Sequence, residues 1–200
     1  VTGISLSDNQ INYCKKKAKE FKLDNQVNFE LCDYREVKGK YQRLVSVGAF
    51  EHIGKKFYKT FFKKVHNIMT DNGICLLHTI GTVNSPGPTQ PFIQKRIFPG
   101  GIIPSLSDLI SPIEKTGLIL ADCETLIHHY DKTLKAWLDR FLKNKEKAKF
   151  LYNKEFVRMW EFYLASCSAA FKFRDLVVYQ LQLVKSFTAP PSNRRNYIYQ

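Results

Sequence analysis

The sequence predicts an α/β fold built on a mainly parallel sheet, and two observations support this prediction. Short apolar strands alternate with amphipathic helices through short connections over residues 1–80. Polar side chains also follow the ends of successive predicted strands. In a parallel sheet those carboxyl ends meet at one edge, where open α/β sheets bind their ligands.

Residues 1–47 contain three predicted strands and one predicted helix. Residues 1–6 and 27–31 have the apolar patterning of strands. Between them, Ser7 is a helix N-cap and Gln10 completes a capping-box pattern. The helix has one apolar stripe, formed by Ile11, Cys14, Ala18 and Phe21. Residues 43–47 then predict a buried strand, which ends at Gly48 and Glu51.

The next helix carries a stripe of large apolar residues, and Asp71-Asn72-Gly73 predicts where it stops. A continuous apolar strand follows over residues 74–80. Residues 84–104 are rich in proline and predict a long loop, of the kind that usually has a function. The remaining elements are predicted as a helix at 105–116, a strand at 121–127, two helices within 133–173, a last strand at 177–184 and a frayed tail at 186–200. We expect all of residues 1–200 to form one domain.

The formal net charge of +13 favours an anionic partner, which could be nucleic acid, a membrane surface or an acidic substrate. The segment 132–158 interleaves basic and aromatic residues. It could bind nucleic acid or anionic lipid, although a solvated helix face over an aromatic core is the usual explanation. The five cysteines form no Cys-x-x-Cys pair, which gives no indication of a disulfide framework or a zinc knuckle. No apolar run is long enough to cross a bilayer.

Three side chains at predicted strand ends could form a general acid/base set: Glu51, His78 and Tyr130. Each also has an ordinary explanation. Glu51 could cap the following helix, His78 could be a satisfied core histidine, and Tyr130 could be a half-buried aromatic. A zinc site from His78, His128 and His129 is possible in principle, but no ligand spacing supports it.

Asp33 follows the second predicted strand. An acid at this position commonly holds ribose hydroxyls or an adenine amine, and a turn acid is an equally good interpretation. The nucleotide-binding pattern Gly-x-Gly-x-x-Gly is absent from the 200 residues.

Several longer stretches resemble the cyclopropane-fatty-acyl-phospholipid synthases and the related mycolic acid cyclopropane synthases, a branch of the S-adenosylmethionine-dependent methyltransferases. The most specific are Phe-Glu-His-x-Gly at 50–54 and Phe-Pro-Gly-Gly at 98–101, and the other matching stretches are 1–7, 32–35, 45–49, 76–81, 129–137, 162–167 and 173–175. The resemblance implies a Rossmann-like methyltransferase sheet with an antiparallel last strand and helical lid insertions.

The resemblance also implies the chemistry and its residues. An olefin in an acyl chain would attack the sulfonium methyl, and a bound bicarbonate would then remove a proton so that a cyclopropane ring closes. Bicarbonate would be held by Glu51, His78, Tyr130 and the amide of Ile80. S-adenosylmethionine would be bound by six residues. Its ribose and adenine would contact Ser5, Leu6, Gln10, Asp33 and Tyr34, and Gly48 is the sixth cofactor-binding residue.

The implied substrate is an unsaturated phospholipid acyl chain, covered by loop 84–104 and by the helices of 133–173. The protein would be cytoplasmic and peripheral on the inner, anionic membrane surface, without a role in nucleic-acid binding, and a dimer is one oligomeric state that the resemblance allows. There are two alternatives: a related enzyme that leaves a methyl branch on the acyl chain, and a non-catalytic basic remnant that binds a membrane or nucleic acid. The family's first strand, glycine-rich loop and upstream cysteine have no counterpart here, so we expect these 200 residues alone to bind S-adenosylmethionine weakly.

Overall fold

The computed structural model describes residues 1–85, 87–190 and 195–198. Its internal contacts separate into two compact units, residues 1–40 and residues 41–200. Each unit is described below by itself. The arrangement of residues 1–200 as a single domain stays a prediction.

The first unit contains two strands and one helix: β1 (Thr2–Ser5), α1 (Asp8–Glu20) and β2 (Asn28–Leu31). The strands pair in parallel, as predicted, with Ser5 opposite Leu31. Ser7 caps α1 through its side chain, which accepts a hydrogen bond from the Gln10 backbone N–H. Only Ile11 and Ala18 are buried in this unit, so its apolar core is small.

In its described residues, the second unit contains a four-stranded sheet and six α-helices. In chain order these elements are β3 (Tyr41–Val47), α2 (Tyr58–Ile68), β4 (Met69–Thr82), α3 (Pro91–Arg96), α4 (Leu106–Glu114), β5 (Ile119–Leu126), α5 (His129–Lys143), α6 (Lys145–Leu151), α7 (Lys154–Phe173) and β6 (Leu176–Val184). The strand order is β3-β4-β6-β5. β3 and β4 are parallel, and β6 is antiparallel to both of its neighbours, so the antiparallel last strand is confirmed. The four-stranded sheet is therefore mixed, and the prediction of a mainly parallel sheet is wrong for it, because β6 lies between β4 and β5 and runs opposite to both.

Strand β6 is central and buried on both faces, because Val177, Val178 and Tyr179 are buried in succession while strand side chains alternate in direction. Helices α5 and α7 pack against each other and against β6. Their contact forms a core cluster of five buried residues, Leu134, Tyr163, Leu164, Phe171 and Val178. A second cluster is aromatic and surrounds Phe50, whose ring centroid lies 4.4 Å from that of Tyr58 and 5.6 Å from that of Phe62.

Several predicted elements differ from the structure. The strand at 43–47 is not buried, since β3 is an edge strand and its Val45 and Val47 are 68% and 61% exposed. The predicted helix stop at 71–73 is wrong, because α2 ends at Ile68 and β4 begins directly at Met69. Gly73 lies inside β4, where a Cβ would collide with the Met69 side chain, and the β3–β4 register shifts nearby.

The helical segment 133–173 contains three helices rather than two. Asn144 separates α5 from α6, and Asn153 starts α7 by accepting a hydrogen bond from the Phe156 backbone N–H at 2.7 Å. The proline-rich loop 84–104 is interrupted by the short helix α3, which Pro91 begins.

The predicted frayed tail is partly ordered, because Ala189 is buried and Arg195 pairs with Asp122 at 2.8 Å. Residues 191–194 and 199–200 of that tail lie outside the described residues. Within the described part of the chain, no helix is long and apolar enough to cross a membrane.

Candidate active site

The candidate site begins where β3 ends. Gly48 has a φ of +64°, a left-handed conformation that glycine adopts without steric cost, and its N–H donates to the carbonyl of His78 on β4 at 3.1 Å. A Cβ at Gly48 would have no neighbour within 4 Å, so the backbone conformation rather than space favours glycine here. The chain then turns into a short 3-10 helix, Phe50–His52, which carries the first of the candidate acids.

Glu51 is a buried carboxylate, 8% exposed, and its position is fixed by β4. The Ile80 N–H donates to Glu51 Oε1 at 2.6 Å, and the Glu51 carbonyl accepts from the Ile102 N–H at 2.9 Å. Its side chain therefore does not cap the following helix, which corrects the ordinary explanation. The second oxygen, Oε2, is buried and has no hydrogen-bond partner among the described residues.

His78 lies opposite Gln180 of β6 in the strand register, and its Nδ1 is 3.2 Å from the Gln180 Nε2. Burial lowers the pKa of His78, and the Glu51 carboxylate opposes this shift. The ring is therefore mainly neutral at pH 7. A neutral ring that accepts from the amide at Nδ1 carries its proton on Nε2.

Tyr130 lies in the first turn of α5, with its ring centroid 6.4 Å from that of His78 and 5.2 Å from that of Phe171. Burial raises the pKa of Tyr130, and the Glu51 carboxylate raises it further, so the hydroxyl remains a proton donor at neutral pH. Because Glu51 affects the pKa of both His78 and Tyr130, the structure brings these three predicted residues into one electrostatic environment.

A cavity of about 720 Å³ opens beside Glu51 and Tyr130, and His78 is not among the described residues that line it. Glu51, Ile80 and Tyr130 line it, together with residues of loop 84–104 and of helices α5 and α7. Most of its surface is apolar, and its apolar and aromatic lining residues include Ile93, Phe98, Leu134, Trp137, Tyr163 and Phe171. A cavity of this volume can bury much of a long apolar ligand.

The sequence reasoning did not single out several lining groups as site residues. Arg174 and Asp175 line the cavity, and Asp175 Oδ2 accepts from the Thr82 hydroxyl at 2.9 Å. Their stretch, 173–175, was among the matching motifs, which was the available signal. Burial also raises the pKa of Tyr163 to about 12 and that of Cys167 to about 11, so both side chains stay neutral in the cavity wall.

In the first unit, the candidate cofactor residues lie near the ends of β1 and β2. Ser5 Oγ donates to the Gln10 Oε1 at 2.6 Å, and both line a hollow of about 210 Å³ beside β1. Leu6, which follows β1 directly, is 73% exposed. These groups are open to a ligand, and Gly48 is the one candidate cofactor residue of the second unit.

Asp33 follows β2 and is engaged by Arg35, whose N–H, Nε and guanidinium nitrogen all donate to the carboxylate. These contacts hold the pKa of Asp33 at about 2. The turn-acid interpretation is therefore correct, and a charged carboxylate with spare lone pairs can still accept from a ligand hydroxyl. Burial raises the pKa of the adjacent Tyr34, which stays protonated.

The zinc alternative finds no support, because the described residues contain no group of three His, Cys, Asp or Glu side chains that could hold a metal ion.

The chain has the α/β fold of the methyltransferases. The cyclopropane synthase MmaA2 from Mycobacterium tuberculosis has a similar structure, with a TM-score of 0.84 and 29% identity over 92% of this chain and 69% of that one. The mycolic acid cyclopropane synthase CmaA1, solved with SAH and CTAB, gives a TM-score of 0.83 with the same identity and coverage.

The family model of mycolic acid cyclopropane synthetase matches residues 1–181, and the chain belongs to that family. It is 36% identical over 181 residues to the cyclopropane-fatty-acyl-phospholipid synthase of Escherichia coli, which covers 90% of this chain and 46% of that protein. It is 32% identical over 197 residues to the tuberculostearic acid methyltransferase UfaA1 of Mycobacterium tuberculosis, covering 96% of this chain and 46% of that protein. The chain thus spans about half the length of these two relatives.

Proposed function

We propose that the protein containing this chain transfers a methylene group from S-adenosylmethionine to the double bond of unsaturated phospholipid acyl chains, which forms cyclopropane fatty acids. Membership of the family and the similarity to the Escherichia coli synthase support this proposal. The observation that carries it is the buried Glu51 carboxylate, which has one oxygen without a partner among the described residues and lines a mostly apolar cavity.

The residues around Glu51 fit a bound bicarbonate. A buried carboxylate oxygen without a donor is costly, and bicarbonate has one O–H that Glu51 Oε2 could accept. The neutral His78 ring and the protonated Tyr130 hydroxyl can donate to its other oxygens. The Ile80 amide already donates to Glu51, so it would act on the anion by orienting that carboxylate.

When bound, S-adenosylmethionine would supply a methyl group on a sulfonium, and bicarbonate would supply a base for the transferred methyl. The chain's residues prepare the setting for this chemistry. Glu51, His78 and Tyr130 orient the base. The aromatic faces of Tyr163 and Phe171 in the cavity wall stabilise positive charge on the acyl chain, and the apolar lining excludes water from it.

The residues of the first unit fit the polar part of S-adenosylmethionine. The Ser5 hydroxyl, the Gln10 amide and the Asp33 carboxylate provide acceptors for ribose hydroxyls and for an adenine amine. Leu6 and Tyr34 provide apolar surface for the adenine ring. Contact with an anionic membrane surface on the cytoplasmic side, and a dimeric state, remain predictions.

A second candidate function is methylation of an acyl chain to a methyl branch. The chain's 32% identity to the tuberculostearic acid methyltransferase UfaA1 favours it, because the coverage of that relative equals the coverage of the synthase. Both reactions begin with the transfer of a methyl group to an olefin, so the same cavity and the same charge-stabilising faces serve either. They differ in whether the methyl carbon then loses a proton to close a ring.

Gas chromatography of fatty acid methyl esters tests the proposal, in cells that express the gene encoding this chain and lack their own cyclopropane synthase. We expect cyclopropane acyl chains, and we expect Glu51→Gln to reduce their formation about a hundredfold or more, since the amide cannot accept from the O–H as a carboxylate does. Glu114→Gln is the matched control, because Glu114 is an exposed acid on α4.

The same chromatogram separates the alternatives. Methyl-branched chains in place of rings would select the second candidate. An unchanged lipid profile, identical for the parent and for Glu51→Gln, would contradict catalysis and favour a non-catalytic remnant.

A further inference from the structure

The helix α6 (Lys145–Leu151) joins the long helices α5 and α7 and ends in three consecutive exposed apolar or aromatic residues. Phe150 is 88% exposed, Leu151 is 62% exposed and Tyr152 is 65% exposed. We call residues 142–154 the α6 tip. Water-exposed large apolar side chains are ordinary when they are scattered, but three in sequence at the end of one helix form a contiguous apolar apex.

The α6 tip is held in place by its neighbours. The Tyr152 ring stacks on Phe156 of α7 with centroids 4.2 Å apart, and Phe156 stacks in turn on Trp160 at 5.6 Å. Lys145 of α6 pairs with Glu161 of α7 at 2.9 Å. The apex is therefore presented by a supported helix end.

Lysines are frequent in the sequence on both sides of this apolar apex. Residues 142–154 contain five lysines and one acid, and these residues are Lys143, Lys145, Lys147, Lys149, Lys154 and Glu146. Lys149 pairs with the single acid at 3.3 Å, across exposed surface where such a pair contributes little. An apolar apex in a lysine-rich segment is complementary to a bilayer with anionic headgroups, because the apex can enter the acyl boundary while the long lysine side chains reach the headgroups.

We propose that the α6 tip docks this protein on anionic lipid bilayers, with Phe150 and Leu151 inserted between the lipids. The tip connects α5 and α7, which carry the cavity-lining residues Leu134, Tyr163 and Phe171, so docking at the tip places the lipid source on the helices that line the acyl cavity. This link to the cavity rests on the proposed function. The docking itself depends only on the apex and its lysines.

A bilayer fits the α6 tip better than a nucleic acid does. Single-stranded nucleic acids are bound through aromatic faces on which bases stack. Leu151 has no such face, and the aromatic rings of Tyr152, Phe156 and Trp160 are already stacked on one another. Phe150 is then a single exposed ring beside an aliphatic side chain, which suits insertion between lipids better than a row of stacked bases.

Sedimentation of the 200-residue chain with lipid vesicles tests the docking. With vesicles of phosphatidylcholine and phosphatidylglycerol in equal parts, we expect Phe150→Ser to weaken binding about tenfold, as a large apolar side chain loses its burial. Phe187→Ser is the matched control, because Phe187 is also 88% exposed but lies outside the tip. Equal weakening by the two variants would overturn the proposal.

The lysines are tested with a second matched pair. We expect Lys143→Gln combined with Lys147→Gln to weaken binding to the same vesicles about tenfold or more, and Lys15→Gln combined with Lys16→Gln on α1 to change it less. Binding of every variant should fall with added salt and with pure phosphatidylcholine. Equal effects of the two lysine pairs would show general charge attraction only and would overturn the assignment.

Insertion is measured directly with Phe150→Trp and, as its control, Phe187→Trp. We expect bromine-labelled lipids to quench the fluorescence added at position 150 and to leave that at position 187 unchanged. Retention on single-stranded RNA without any vesicle binding would overturn the proposal in favour of a nucleic-acid partner. Vesicle binding with normal tip dependence but without lipid products would instead count against the proposed function alone.

Discussion

The two units of the chain hold their candidate residues by different means. In residues 1–40 a two-stranded sheet and one helix bury only Ile11 and Ala18, and sheets of two strands have little independent stability. In residues 41–200 a four-stranded sheet is buried at its centre and covered by helices. Polar groups placed by such a core are held rigidly, whereas those of the first unit depend on their local turns.

The sequence separation of the hydrogen bonds shows the same contrast. The candidate cofactor residues form hydrogen bonds with near neighbours in the sequence: Ser5 bonds to Gln10, 5 residues away, and Asp33 bonds to Arg35, 2 residues away. In the second unit, the Ile80 amide reaches Glu51 over 29 residues, and Gln180 reaches His78 over 102. Breaking the fold of the second unit would therefore dismantle its site, while the first unit's contacts can reform locally.

Amide hydrogen exchange should reveal this difference most strongly. We expect the amides of β4 and β6 to exchange about a thousandfold or more slowly than those of β1 and β2, because core strands open only with the global unfolding of their unit. Mass spectrometry of peptic peptides measures both sets in one sample. Similar protection of all four strands would contradict the contrast between the units.

Phenylalanine truncation in each unit tests the contrast energetically. Phe62 of α2 is completely buried in the aromatic cluster, so Phe62→Ala should lower the free energy of unfolding by about 3–5 kcal/mol. The matched change Phe21→Ala removes a ring that is 68% exposed after α1, and we expect a cost below about 1 kcal/mol. Urea unfolding followed by circular dichroism measures both values, and equal costs would show that the first unit has a core of its own.

Local features could be predicted from the sequence because their causes are local. The Ser7 cap is confirmed, and so is a helix after Ser105, whose side chain completes a capping box with Asp108. The alternation of strands and helices and the antiparallel last strand are also confirmed. The start of a separate helix at Asn153 was not predicted, although Asn is a favoured cap residue. The apolar pattern of residues 133–173 indicated two helices and gave no signal for a third.

Features that depend on distant partners could not be predicted. The apolar run Leu44–Val45–Val47 indicated a buried strand, but burial depends on which strands flank it, and β3 has only β4 beside it in its sheet. Gln180 and Asp175 acquire their importance from partners 102 and 93 residues away. Spacing along the chain contains no signal for such pairs. The positions of Glu51, His78 and Tyr130 at strand ends suggested an acid/base set, while their role as bicarbonate ligands was implied by the family resemblance alone.

A substitution of Gln180 tests how the second unit positions its site residues, because Gln180 orients His78 without lining the cavity. In Gln180→Glu a carboxylate replaces the amide beside Nδ1, so we expect the pKa of His78 to rise. Product formation at neutral pH should fall about tenfold, and its pH optimum should move upward with that pKa. NMR titration of the His78 ring and a pH profile of the lipid products measure the two effects.

The matched control is Gln182→Glu, on the same strand but opposite Leu76 rather than His78. It should shift the pKa of His78 less. If both variants moved the titration and the pH profile equally, a general charge effect would replace positioning as the explanation.

The smallest expected effect is a pH dependence of stability that comes from His78 alone. Burial lowers the pKa of this ring below its ordinary value of 6.5 in the folded chain. As the pH falls below 6.5, the unfolded chain binds a proton that the folded ring resists, so the free energy of unfolding decreases, while above 6.5 the contribution is constant. We expect a loss below about 1 kcal/mol, because the ring is partly exposed and solvent screens it.

This contribution should appear above a pH of about 5, where carboxylates stay charged and do not obscure it. Urea unfolding across that range should show that His78→Gln removes the decline and that His129→Gln, at an exposed position, retains it. An unchanged decline in His78→Gln would mean that the ring is as accessible to protons in the folded second unit as in the unfolded chain. The long-range contact with Gln180 would then not enclose His78, and the contrast with the locally tied groups of the first unit would be lost at this residue.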